Sequence, residues 1–233
     1  MSQISIPARF NGPPDSGNGG YSCGVVAAFI DGVARVRLHL PPPLDVPLTV
    51  LSAADDAVEI LHDAALVASG WPAQLELAIP PAPSLEQARS ASERFACYQE
   101  HVYASCFVCG TGRPHGDGLE LFPGPVDDWS LVACSWLPGS DLADTEGNVR
   151  PEIVWAALDC PGCYGAMGET MVPVLLGELV ADLRKPVPAE EELVVYAWPL
   201  GMEGRKYYGG VAIANAAGEV LACSHSTWIV LRS

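Results

Sequence analysis

The feature that most restricts the fold of this chain is an internal duplication. Residues 19–31, GGYSCGVVAAFID, form an apolar stretch opened by two glycines and read as a helix. The alternating segment VARVRLHL follows at 33–40, then the proline-rich PPPLDVP. LTVLSA at 48–53 and VEIL at 58–61 read as strands, and a turn at 62–64 leads into ALVAS at 65–69. The second half repeats that order. PEIVWAALDCPGCYGA at 151–166 is the helix, VLLGELVADL at 174–183 a strand, RKPVPAEE the proline-bearing link and ELVVYAW at 192–198 the next strand. YYGGVAIAN at 207–215, a turn at 216–219 and VLACSHSTWIVL at 220–231 close the unit. The hairpins agree most closely, VEILHDAALVAS lying against VAIANAAGEVLACS. Alternation and β-branched residues mark the strands, and Gly, Pro, Asn and Asp mark the turns. Recurrence of a whole unit is the trace that a doubled architecture leaves in a sequence.

Each unit reads as one helix followed by long antiparallel strands. A sheet with one apolar face buries it by wrapping around such a helix. Two such sheets joined edge to edge make one continuous sheet with two central helices, and the joint covers strands that would otherwise be exposed edges. The division expected is a first half over 1–83, a linking helix over 84–104 and a second half over 105–233. Ser84 caps the linking helix, with Gln87 at the capping-box position. Two further strand candidates, at 119–122 and 130–137, precede the second central helix.

Composition supports a packed core: 49% of residues are hydrophobic and 17% charged. The 23 glycines and 21 prolines supply the turns of a β-rich chain. A formal charge of −16, with Lys185 and Lys206 the only lysines, argues against nucleic acid or an anionic membrane as partner. The opening MSQISIPARFNGPPDSG has no apolar run of signal-peptide type, and CGVVAAFI is too short to span a bilayer. The expected location is the cytoplasm, where the eight cysteines stay reduced.

Two motifs carry a resemblance. CFVCGTGRPHGDGLELF, at 106–122, resembles the opening motif of hotdog thioesterase-like proteins: Cys-Phe-x-Cys-Gly, then Asn-Pro, then Gly-Leu. Arg113-Pro114 stands here for Asn-Pro, and Gly118-Leu119 supplies the Gly-Leu. VWAALDCPG is similar to the central helix of acyl-CoA thioesterase-like members. The chain thus resembles the hotdog-fold thioesterase and dehydratase superfamily in its double form. The resemblance implies an α+β double hotdog, two long antiparallel sheets each wrapped around a central helix and joined into one sheet. It implies an apolar pocket between the halves and hydrolysis of an acyl thioester carried on coenzyme A or an acyl-carrier protein, with no cofactor. Sheet edges or faces are the surfaces through which a homo-oligomer would form. A non-catalytic acyl-ligand binder and a hydratase or dehydratase are the other activities such a fold supports.

The same resemblance supplies site residues. Asp159 stands near the helical carboxylate of one thioesterase branch and is the first choice to activate water; the alternative is a capping carboxylate ahead of Pro161. Asn18, Gly19, Gly20 and Tyr21 open the first helix, where unpaired N–H groups and the positive end of the dipole suit a thioester carbonyl, unless they only cap it. Asp15 is a second carboxylate, in a segment that also suits a plain turn. Glu178 and Thr227 fall at the positions of the Asp and the Gln of an Asp, Thr and Gln set in another branch, without reproducing it, and His225 is a further candidate whose alternative is a satisfied strand histidine. Arg184 with Lys185, and Arg205 with Lys206, sit at strand ends that could meet on one rim, as phosphate contacts, with solvated strand-end charges the favoured alternative.

Cys106 and Cys109, and Cys160 and Cys163, are spaced like zinc knuckles. The long gap between the pairs, and the helix leading into the second, favour packed thiols that do not converge, so no metal is expected. Cys23, Cys97, Cys134 and Cys223 read as core residues.

Overall fold

Asn18 starts the first central helix for a local reason: its side-chain carbonyl accepts the N–H of Tyr21, satisfying a donor that the helix start leaves free. The structure is a computed structural model describing residues 2–126, 130–169 and 172–231. In chain order the first part holds β1 (Ser2–Ile4), α1 (Gly19–Ala27), β2 (Ala34–Leu38), β3 (Leu48–Ser52), β4 (Val58–His62) and β5 (Ala65–Pro72). Then come α2 (Leu85–Ser92), β6 (Gly124–Val126), β7 (Leu131–Trp136), α3 (Pro151–Ala157) and α4 (Cys160–Met167). Strands β8 (Val174–Leu183), β9 (Leu193–Glu203), β10 (Lys206–Ala214) and β11 (Val220–Val230) complete the fold.

The eleven strands among the described residues form one antiparallel sheet in the order β1-β3-β4-β5-β2-β8-β11-β10-β9-β7-β6. The seam is β2 against β8, in register from Ala34 opposite Ala181 to Arg37 opposite Glu178. Arg37 Nη2 lies 2.7 Å from Glu178 Oε2 across it. The expected sheet, continuous and holding two central helices, is therefore present. Among the described residues no helix is long and apolar enough to cross a membrane.

The two-residue period of the strands sorts the core into two layers. Val195, Ala197, Val211 and Ile213 face the central helices and join the main core. Their neighbours Val194, Tyr196, Trp198, Ala212 and Ala214 form a second cluster on the opposite face, with Ala88 and Ala91 of α2. The segment leading into α2 crosses that outer face, where Tyr196 Oη donates to the Pro80 carbonyl at 3.1 Å.

α1 packs against α3 through small residues. A Cβ on Gly24 would sit 2.6 Å from Glu152 Cα, and one on Gly20 would sit 2.5 Å from the Trp155 carbonyl oxygen. Such an approach requires glycine at both positions.

Three sequence expectations change. The stretch 151–166 is two helices, because Pro161 has no N–H to continue the α3 ladder. The linking helix ends at Ser92, twelve residues early. Beyond it Phe95 leaves the helical path to pack among Tyr98, Phe122 and Tyr164, with ring centroids 4.9–5.5 Å apart. The stretch 119–122 is no strand: Leu119 and Leu121 donate to Phe107 and Val108, bracing the cysteine turn. The Ser84 cap does form, with both halves of its capping box. Ser84→Ala should lower thermal stability by about 1 kcal/mol, roughly 2–4 °C in the melting temperature; an unchanged melt would show that α2 is held by packing alone.

Candidate active site

The break between α3 and α4 places Asp159 where the two central helices meet. Asp159 is 2% exposed. Its Oδ2 accepts from Asn18 Nδ2 at 2.8 Å and from the Gly20 N–H at 2.9 Å. The start of α1 therefore holds one oxygen of a carboxylate that belongs to the other helix pair. The second oxygen, Oδ1, is buried and has no partner among the described residues. Burial pushes the carboxyl up to about 7, against the downward pull of the Gly20 N–H and the Asn18 amide.

Asp159 lines a cavity of about 690 Å³. Its floor is the start of α1, the α3–α4 break and the turn 106–109; its walls come from the end of β2, the start of β8 and the end of β11. Leu38, Leu40, Val102, Leu176, Trp228 and Ile229 make those walls apolar. Gly19 also lines the cavity. Its N–H, the first of α1, has no partner among the described residues, whereas those of Gly20 and Tyr21 are taken by Asp159 and Asn18.

The remaining predicted residues lie elsewhere. Tyr21 is buried and stacks on Phe10, ring centroids 4.0 Å apart. Asp15 is exposed in the turn before α1 and is not among the cavity residues. Ser224 and Ser226 face the central helices, donating to the Leu158 and Gly209 carbonyls. His225 and Thr227, alternating with them, face the other side of the sheet. Thr227 is opposite Glu178, which is ion-paired with Arg37 and Arg35 on the seam. None of Glu178, His225 and Thr227 lines the cavity.

The two basic pairs do not share a rim. Arg184 and Lys185 follow the end of β8, paired with Asp182 and Glu219. Arg205 and Lys206 sit at the β9–β10 turn, which the register of β10, β11 and β8 puts at the opposite end of the sheet. Arg205 Nη1 donates to the Val230 carbonyl at 3.0 Å, beside the cavity residues Ile229 and Leu231.

The cysteines also depart from expectation. Cys160 does converge with the first pair: its Sγ lies 3.7 Å from that of Cys106. Cys163 points away, toward Met167 Sδ at 3.8 Å. S–H donation from Cys109 and Cys160 holds the Cys106 thiol well below its usual range, and the same contacts push those two donors up. His115 takes no part; its side chain is 95% exposed and paired with Glu120.

Arg113 carries a role that its motif did not disclose. Its side chain is 10% exposed and clamps the cysteine turn to the N-terminal segment. Nη1 donates to Asn11 Oδ1 and the Ser105 carbonyl, and Nη2 to the Arg9 carbonyl and Asp117 Oδ2, all at 2.7–3.0 Å. The one available signal was the arginine standing where the resembled motif has asparagine.

No family model and no curated protein sequence matches this chain. Its fold, however, matches solved structures over nearly its whole length. An acyl-CoA thioesterase II from Mycobacterium marinum superposes with a TM-score of 0.63 at 12% identity, covering 99% of this chain and 93% of that one. A hot dog fold protein of unknown function from Alicyclobacillus acidocaldarius gives 0.63 at 11% identity, with the same coverage of both chains. The tesB protein of Mycobacterium avium subspecies paratuberculosis gives 0.61 at 12%, over 94% of this chain and 89% of that one. At such identities the likeness establishes architecture, and the architecture is the double hotdog.

Proposed function

We propose that this chain hydrolyses an acyl thioester in the cavity between its two central helices. The observation that carries the reading is the unpartnered Oδ1 of Asp159, a buried residue that lines an apolar cavity and whose other oxygen is held by two donors. A carboxylate so fixed is oriented to accept a proton from water. The acyl chain lies against Leu38, Leu40, Leu176 and Trp228, and the thioester carbon comes to rest beside Asp159. Water gives a proton to Asp159 and attacks the carbonyl carbon. The Gly19 N–H faces the developing oxyanion. Collapse of the tetrahedral adduct breaks the C–S bond, and the departing thiolate takes the proton back from Asp159. Acid and free thiol leave, and the carboxylate is restored.

The carrier in this reading is coenzyme A or an acyl-carrier protein; Arg205 and Lys206 are basic residues at the cavity's end of the sheet and suit its phosphates. The acyl-CoA thioesterase II with the same architecture is consistent with that choice. The test is a panel of acyl-CoA substrates of graded chain length, with free thiol measured. Saturable thiol release with at least one member is expected. Tight acyl-CoA binding without thiol release would replace the reading with a ligand-binding one. A change in the acyl group with the thioester intact would replace it with hydration or dehydration.

A further inference from the structure

We propose that Cys106, Cys109 and Cys160 bind a thiophilic divalent cation, zinc in the cell, with the fourth corner open to the cavity. This site lies beyond the hydrolysis reading and does not depend on it.

The geometry comes first. The three sulfurs all lie within 4.8 Å of one another, and all three residues are buried. The Cys106–Cys160 separation is 3.7 Å. A tetrahedral zinc with sulfur at about 2.3 Å sets its sulfurs about 3.8 Å apart. These thiols come from segments more than fifty residues apart in the chain, so their convergence is a property of the tertiary fold.

The surroundings are those of anionic sulfur. Asn18 Nδ2 lies 3.9 Å from Cys106 Sγ and 3.8 Å from Cys160 Sγ. Tyr164 Oη donates to Cys109 Sγ at 3.6 Å. His101 sets that direction: its Nδ1 accepts the Tyr103 N–H, so Nε2 carries the proton and faces Tyr164 Oη at 3.3 Å. Neutral thiols are weak acceptors and do not call for so many donors. Three thiolates around a divalent cation keep one negative charge, and donors of this kind stabilise it and orient the ligands. Thiolate ligands favour zinc over the harder magnesium and calcium.

The frame is rigid. Cys106 N–H donates to the Tyr103 carbonyl, and its own carbonyl accepts the Gly110 N–H at 2.9 Å. A Cβ at Gly110 would sit 2.4 Å from that carbonyl, so the tight turn requires glycine. Cys160 is the first residue of α4, where the helix dipole favours a thiolate. Among the described residues no His, Asp or Glu joins the three within 4.8 Å. All three ligands line the cavity, so water or a bound molecule completes the tetrahedron from that side.

The full chain, made without a metal-binding tag and purified in reducing buffer, should carry about one zinc per chain by plasma mass spectrometry. Stripping the metal and titrating cobalt(II) should give intense thiolate-to-cobalt charge-transfer absorption that saturates at one equivalent. Cys106→Ser and Cys160→Ser should lose both signals, and Cys163→Ser should keep them. The titration on the unaltered protein stands even where a variant fails to fold. No charge-transfer band on that protein, or retention of the band in Cys160→Ser, would overturn the site. So would an intact mass showing a Cys106–Cys160 disulfide in the protein as isolated. These readouts need no turnover, so a failed thioesterase assay leaves them standing, and failure here leaves the assay standing.

Discussion

Asp159→Asn should lower the turnover number for thioester hydrolysis by about 10²- to 10⁴-fold, the usual contribution of a positioned general base. The substitution is nearly isosteric. The asparagine oxygen can still accept from Asn18 and from the Gly20 N–H, which now hold Oδ2 at 2.8 and 2.9 Å. What changes is the unpartnered position, where an amide nitrogen would accept no proton. Binding of a non-hydrolysable thioester analogue should be little altered, because the apolar walls remain. The melting temperature should not fall, since an amide is cheaper to bury than a carboxylate. Steady-state kinetics on the wild type and variant, with a binding assay and a melt on each, check all three. If the variant keeps most of its turnover, Asp159 is not the base.

Gly20→Ala should destabilise the fold by about 3 kcal/mol, roughly 6–12 °C in the melting temperature. On helix propensity alone the substitution would stabilise, since Gly costs about 1 kcal/mol against Ala. The packing reverses the sign. The added carbon would sit 2.4 Å from Asp159 Cβ, 2.5 Å from the Trp155 carbonyl oxygen and 3.0 Å from Ala156 Cα. Two of those atoms are backbone and the third is held by the site, so α1 and α3 must separate. Gly19→Ala is the matched control. Its Cβ would meet Leu176 Cδ2 at 2.9 Å and Leu176 Cβ at 3.0 Å, atoms of a side chain that can shift, and its cost should be smaller. Equal melting temperatures for the two variants would mean that the helix contact is not tight. Hydrolysis should also fall in Gly20→Ala, because the N–H that fixes Asp159 moves with α1.

The strand pattern was legible because it is local. Alternation along β8, β10 and β11 is visible residue by residue, as is the Ser84 capping box. So was a carboxylate just ahead of a proline in an apolar helix, which the structure sets in the wall of the cavity. Register across strands is not written locally, and for that reason one rim for Arg184–Lys185 and Arg205–Lys206 stayed open in the sequence. The linking helix was over-extended because propensity carried no hint that Phe95 would be drawn into an aromatic cluster. The meeting of Cys160 with Cys106 depends on the α3–α4 break and on the Arg113 clamp together. Spacing along the chain therefore argued against a convergence that the fold brings about.

The seam between β2 and β8 has one more effect. Had the two units been separate identical chains, a two-fold axis would have given every group twice. Covalent union removes that obligation, and the halves have become unlike: one gives amide donors through Asn18 and Gly20, the other the acid. The donors and the acid meet at one Asp159 centre among the described residues, so titration with a thioester analogue should saturate at one equivalent.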